Sequence, residues 1–189
     1  MNSSQPGCFF LVVGPSGAGK DSLMDGAKNI LPKDQYRFAK RTVTRPPGMV
    51  GEDYQSCDPA TFAQRKARGE FLATWQAHGY EYGLPKELAT EQAQGRHIVA
   101  NGSRAVVANI ASAVKNLVVV HVTAPIELLA KRLAQRGRET ETEIKERLSR
   151  QITTFPDGIE VRTVVNDATL AQGIERFVDA IRVGIRSKD

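Results

Sequence analysis

The stretch Phe9-Phe10-Leu11-Val12-Val13-Gly14-Pro15-Ser16-Gly17-Ala18-Gly19-Lys20-Asp21-Ser22 decides how the rest of the chain is read. Five apolar residues in a row predict a strand buried on both faces. The glycines after it let the backbone turn tightly and bring its N–H groups round one centre. A helix over about residues 22–31 follows. Its positive end and the loop amides make an anion nest, to which Lys20 adds a full charge. The spacing Gly14-x-x-x-x-Gly19-Lys20 is that of a phosphate-binding P-loop, with strand, loop and helix in the required order. Gly14, Pro15, Ser16, Gly17, Ala18, Gly19, Lys20, Asp21 and Ser22 are therefore the expected nucleotide-binding residues.

One position departs from the pattern. The residue after the lysine is ordinarily Ser or Thr, whose hydroxyl touches Mg²⁺. Here it is Asp21, with Ser22 next. Neighbours on a helix point about 100° apart, so Ser22 does not simply take over the place. A carboxylate is a good hard-cation ligand, which makes Asp21 a candidate to hold the metal directly or through water. It could equally serve only to favour the helix N-terminus electrostatically. The loop leaves both readings open.

A chain of 189 residues suits one domain with a sizeable core. Its net charge of +5 favours polyanionic partners, nucleic acid and phosphate-rich small molecules alike. The P-loop favours the second. No stacking-aromatic platform or nucleic-acid reading motif is present, so no nucleic-acid partner is expected. Two cysteines, Cys8 and Cys57, make neither a disulfide framework nor a metal site, and a cytoplasmic location is expected. The first seven residues lack the pattern of a signal peptide, and no apolar run reaches membrane-spanning length. The sequence carries no sign of oligomeric state.

Further strands are predicted over residues 36–44, 97–100, 117–122 and 161–165, with short ones over 70–76 and 80–82 about a turn near Gly79. Helices are predicted over residues 58–67, 85–95, 103–114, 125–135 and 141–153, with a last amphipathic one near the C-terminus. Alternating strands and helices predict an α/β fold: a parallel five-stranded sheet with helices on both faces. Ligands in such folds sit at the C-terminal ends of the strands, which selects residues 14–20, 101–104 and 166–167. Residues 36–95 interrupt the alternation and are expected to form an inserted acceptor-binding lobe. The rest, residues 8–35 and 96–189, is the core. The arginine-rich stretch 136–146 is expected to act as a lid.

Phosphoryl transfer needs positioning and positive charge rather than covalent help from protein. The candidate catalytic cations are Lys20, Arg132, Arg136, Arg138 and Arg147; a lid arginine on the transferred group contributes on the order of a thousandfold. The competing reading is a solvated helix face, since Arg132/Arg136 and Glu143/Arg147 fall at helical pair spacings. Arg41, Arg45, Tyr54 and Tyr82 form a candidate second phosphate cradle, because guanidinium forks and phenols are good phosphate donors. Asn101, Ser103 and Arg104 at a strand end could address the rest of the acceptor. No His or acid is needed as a general base if the acceptor is itself a phosphate oxygen. His78, His97 and His121 read as structural.

Taken together, these residues resemble the guanylate kinase group of nucleotide kinases. The segments are Gly14 to Lys20, Thr42-Val43-Thr44-Arg45-Pro46-Pro47, Gly51-Glu52-Asp53-Tyr54, Gly69-Glu70-Phe71, Tyr82-Gly83, Arg132-Leu133, Arg136-Gly137 and Asn166-Asp167. The resemblance implies a P-loop nucleotide kinase fold, acceptor phosphate on Arg45 and Tyr82, and Asn166 near adenine. The groups expected to read guanine are missing, however: Ala73, Leu84 and Asn101 stand in their places. A site built to hydrogen-bond a base loses much discrimination without those partners. The sequence is more similar to the ribose 1,5-bisphosphate phosphokinases. That resemblance rests on Gly14 to Ser22, Trp75-Gln76-Ala77-His78-Gly79, Asn101-Gly102-Ser103-Arg104 and Arg136-Gly137-Arg138-Glu139. It implies ATP as donor, Mg²⁺, a phosphosugar acceptor, 5-phosphoribosyl 1-diphosphate as product and a place in phosphonate breakdown. Asp after the lysine fits this family. A guanylate or other nucleoside monophosphate kinase, and a non-catalytic binding module, are the alternatives.

Overall fold

The computed structural model describes residues 5–47, 54–135, 144 and 154–182. Strand β1 (Phe9–Val13) is wholly buried, as its unbroken apolar run predicts. It pairs in parallel with β7 (His97–Asn101) on one side and β8 (Leu117–Thr123) on the other. The edges are β2 (Tyr36–Phe38) beside β7 and β9 (Glu160–Val165) beside β8. The order β2-β7-β1-β8-β9 is all parallel.

The two faces of β1 feed two cores, because successive side chains of a strand point opposite ways. Phe10 and Val12 pack into a cluster with Leu23 and Ala27 of α1 (Lys20–Ile30), Leu129 and Leu133 of α5 (Ile126–Ala134), and Phe177 and Ile181 of α6 (Leu170–Arg182). Phe9, Leu11 and Val13 pack into the other, with Leu88 of α3 (Glu87–Ala93) and Val107 and Ile110 of α4 (Val107–Ala113). Ile144 is buried in the first cluster.

A second sheet carries the lobe, in the order β4-β3-β6-β5. Its strands are β3 (Arg41–Val43), β4 (Tyr54–Ser56), β5 (Phe71–Ala77) and β6 (Tyr80–Pro85). Helix α2 (Pro59–Ala67) starts as predicted: Asp58 caps it, accepting from the Thr61 N–H at 2.9 Å, and Pro59 takes the first position. The predicted strand over residues 36–44 is two strands in two sheets. The Ala39 N–H still bonds the Val99 carbonyl of the core, and the chain crosses to the lobe at Lys40. Strand β6 also runs through Pro85, which the sequence placed at a helix start.

The loop after β1 is shaped by two glycines. A Cβ on Gly14 would lie 2.0 Å from the Val122 carbonyl oxygen, and Gly19, at φ +85°, would press one against Asn166. No described helix is long and apolar enough to cross a membrane.

Candidate active site

Helix α1 begins at Lys20, after Gly19, with no side chain capping its first turn. Its amides are thus left for an anion. Lys20 folds back over the loop, its Nζ donating to the carbonyls of Gly14 (2.9 Å) and Pro15 (3.0 Å).

The loop stands between two clefts. The larger, about 420 Å³, is walled by the loop and start of α1, the strand end from Asn101 to Arg104, and the lobe residues Arg41, Trp75, Ala77, His78 and Tyr82. The smaller, about 310 Å³, is lined by Gly17, Gly19, Ser22, Arg132, Asn166, Ala168 and Leu170. Half-exposed Leu170 gives it an apolar wall, which suits a base and sugar beside the phosphate loop. Arg132 reaches the loop itself, Nη1 to the Gly17 carbonyl at 3.4 Å. Asn166 is 6 % exposed, and its Nδ2 donates to the Ala18 carbonyl at 2.8 Å. It lines the smaller cleft and braces the loop at once.

The acceptor candidates divide. Arg41, Tyr82, Asn101, Ser103 and Arg104 meet at the larger cleft. Tyr82 stacks on Trp75 (centroids 5.4 Å apart, planes at 9°), and the Arg41 guanidinium lies 5.5 Å from the Tyr82 ring. That stack holds a cation against the cleft wall. Ser103 caps a short turn, accepting from the Ala105 N–H at 3.3 Å. Asn101 does not keep its amide for an acceptor: Nδ2 donates to Asp21 Oδ1 at 2.7 Å. Arg45 and Tyr54 are stacked on each other at 4.4 Å, outside the described lining of this cleft. There the Tyr54 hydroxyl donates to the Pro46 carbonyl at 2.6 Å. Arg136, Arg138, Arg147 and the expected lid lie outside the described residues.

The aromatic residues Trp75 and His78 also line the larger cleft and are not among the site residues expected from sequence. His78 and Gly79 form the two-residue turn between β5 and β6, both at positive φ (52° and 78°). The dipeptide signals a hairpin, but only the paired strands aim its tip at the cleft. His97 and His121 are structural. His97 Nδ1 accepts from the Cys8 N–H at 3.0 Å, and burial lowers its pKa. His121 packs on Phe155; burial, then the charges of Arg104 and Lys20, lower its pKa.

Asp21 is the one carboxylate among the described residues lining the larger cleft, with its side chain 35 % exposed and 3.9 Å from Arg41 Nη2. No cluster of three or more metal-ligating side chains exists among the described residues. A single hard oxygen donor beside a phosphate loop fits Mg²⁺, which is usually held by one or two carboxylates, substrate phosphates and water.

A P-loop between a nucleoside-sized cleft and a cation-lined one, on a parallel sheet with an inserted lobe, defines a P-loop phosphotransferase. The guanylate kinase family model matches residues 8–183. Over 94 % of both chains, the sequence is 44 % identical to the protein named ribose 1,5-bisphosphate phosphokinase PhnN of Brucella melitensis. The chain therefore belongs to the guanylate kinase family, and within it to the group of the ribose 1,5-bisphosphate phosphokinases. It is also 53 % identical, over 95 % of its length, to the bifunctional ribose 1,5-bisphosphokinase-thymidine phosphorylase of Cupriavidus pinatubonensis. It spans about 30 % of that relative's length. Among solved structures, guanylate kinase from Anaplasma phagocytophilum superimposes with a TM-score of 0.66 at 14 % identity, over 98 % of this chain and 89 % of that one. At that identity the likeness concerns the fold.

Proposed function

We propose that this chain transfers the terminal phosphoryl group of ATP to the 1-phosphate of ribose 1,5-bisphosphate, giving 5-phosphoribosyl 1-diphosphate. The observation that carries the reading is the makeup of the larger cleft. Lys20, Arg41 and Arg104 line it, and its single described carboxylate, Asp21, is engaged by Asn101 and Arg41. Such a site suits an acceptor that is already anionic and needs no base. A phosphate monoester carries about −1.5 to −2 charge at neutral pH. The names of the relatives support the particular acceptor, and the absence of a guanine reader at Ala73 and Leu84 agrees. Both are buried in the lobe core, where neither offers a polar side chain to a base.

The loop amides and Lys20 hold the β- and γ-phosphates, Arg41 and Arg104 hold acceptor phosphates, and Arg132 sits beside the loop on the nucleoside side. An oxygen of the acceptor phosphate bonds to the γ-phosphorus as the bond to the ADP oxygen breaks. Mg²⁺, held by Asp21 and the phosphates, would neutralise charge on the triphosphate. The rest is alignment and fixed positive charge, the usual terms in this chemistry.

The test is a product assay with ATP and a panel of ribose 1,5-bisphosphate, ribose 5-phosphate and GMP, read by ³¹P NMR. A new diphosphate signal with the bisphosphate alone is expected. Efficient turnover of GMP refutes the reading.

A further inference from the structure

We propose that Asn101 is a positioning residue for the Asp21 carboxylate, and that the two side chains are an exchanged form of the hydroxyl-and-carboxylate pair by which P-loop enzymes hold a divalent cation. This deepens the reading above and rests on it only in requiring a metal-bound nucleoside triphosphate as donor.

In the usual arrangement the hydroxyl follows the P-loop lysine and the acid stands on a separate strand. Here the acid follows the lysine and a neutral amide stands at the end of β7. The parallel register explains why they meet. Val12 of β1 is paired with Asn101, and the Gly102 N–H bonds the Val12 carbonyl at 2.9 Å. The end of β7 therefore lies beside the strand from which the loop and α1 depart. The two side chains adjoin at 2.7 Å, so the carboxylate has moved across a contact and has not left the site.

The chemistry of the contact fixes its direction. A carboxylate only accepts, so the amide must present Nδ2 to Asp21. That leaves Asn101 Oδ1 buried with no hydrogen-bond partner among the described residues, on a side chain only 5 % exposed. An orphaned buried carbonyl is costly, and an apolar side chain at this strand end would avoid it. The amide is tolerated because the donor it offers is useful. Both described contacts of Asp21, from Asn101 Nδ2 and Arg41 Nη2, converge on Oδ1. The carboxylate is thereby pinned by one oxygen, and Oδ2 is left for a cation beside the phosphates. Outer partners that orient a ligating carboxylate commonly matter about tenfold to a hundredfold in metal affinity.

Calorimetry tests this on the whole chain. ATP is titrated with Mn²⁺ present and again with EDTA, and the ratio of the two dissociation constants is the metal's contribution. Asp21→Ser is expected to cut that ratio about tenfold or more, and Asn101→Ala about tenfold. The double variant Asp21→Ser with Asn101→Asp restores the usual pair and is expected to return the ratio to within about threefold of the parent. A double variant no better than Asp21→Ser overturns the proposal, as does an Asn101→Ala ratio equal to the parent's. If circular dichroism shows the double variant unfolded, the Asn101→Ala arm decides alone. A chain that shows this pattern but does not convert ribose 1,5-bisphosphate loses the proposed acceptor and keeps the pair.

Discussion

Replacing Asn166 by Ala should loosen the phosphate loop from behind. The residue follows β9, and its backbone N–H donates to the Thr123 carbonyl at 2.7 Å. Its side chain is clamped between two glycines. A Cβ on Gly19 would lie 2.5 Å from Nδ2, and one on Gly173 would lie 2.7 Å from Oδ1. Truncation removes the 2.8 Å bond to the Ala18 carbonyl, which lies in the interior of the fold. Leaving a buried acceptor without its donor costs about 1–3 kcal/mol. The small void left where the amide stood adds roughly 1 kcal/mol. A total of about 2–4 kcal/mol in a chain of this length lowers Tm by roughly 4–16 °C. ATP affinity should fall with it, because the Ala18–Gly19 turn presents the loop amides. Scanning calorimetry gives the first quantity and ATP titration the second. Asn166→Asp separates the donor from the volume: it keeps the shape but sets an acceptor against a carbonyl, so it should be at least as harmful. A Tm loss below about 2 °C with unchanged ATP affinity would refute the brace.

Lys20→Ala should abolish turnover in the coupled ATP assay while Tm stays within about 2 °C, since Nζ, at the wall of an open cleft, donates to the loop carbonyls of Gly14 and Pro15 and substitutions at such partly exposed places cost little. Retained turnover would remove the lysine from the chemistry. His78→Asn should leave Tm unchanged or higher, because Asn-Gly is the preferred pair for a two-residue turn with both φ positive; acceptor KM should nevertheless rise, and an unchanged KM would take the imidazole out of the acceptor's reach. Stability should fall as pH drops from about 7 to 5. His97 and His121 have folded pKa values below their unfolded ones, so the unfolded chain binds more protons in that window, and the stability present above the unfolded value is lost as pH falls through the folded one. His97→Gln, which keeps an acceptor for the Cys8 N–H, should flatten part of that slope in thermal melts across pH.

The fold was legible wherever one strand's burial shows in its own residues. The runs Phe9–Val13 and 117–120 lie inside the sheet and are apolar on both faces, so they read as strands without help. The lobe was less legible. Residues 36–44 alternate in a way one strand would, and nothing local marks Ala39 and Lys40 as the crossing between two sheets. Pro85 reads as a helix start because proline favours that position, but proline is also tolerated in a strand where its nitrogen faces no partner strand, and β6 pairs with β3 at Tyr82 and Gly83. Among site residues, Arg45 and Tyr54 are close in sequence to Arg41 and were grouped with it. The short parallel pairing of β3 with β4 instead turns them against each other at the lobe's corner.

The residue that looked most anomalous in sequence has the plainest account in space. Taken alone, Asp21 breaks a motif, and Asn101 breaks another. Each departure by itself suggests a weakened metal site. The two positions are 80 residues apart, and no local rule connects them. The β1–β7 pairing does: it sets the end of β7 beside the root of α1, where, on the pairing proposed above, an acid at either position would reach the same place. A hydroxyl and an acid exchanged for an acid and an amide conserve one negative charge and one hydrogen-bond donor at the contact. What the exchange alters is which element carries the charge. With the acid on the first turn of α1, the carboxylate gains the favourable field of the helix N-terminus, and Arg41 of the lobe comes within 3.9 Å of it. Phosphate loop and lobe are thereby joined through one side chain, which the usual pattern, with its acid on the strand, would not place there.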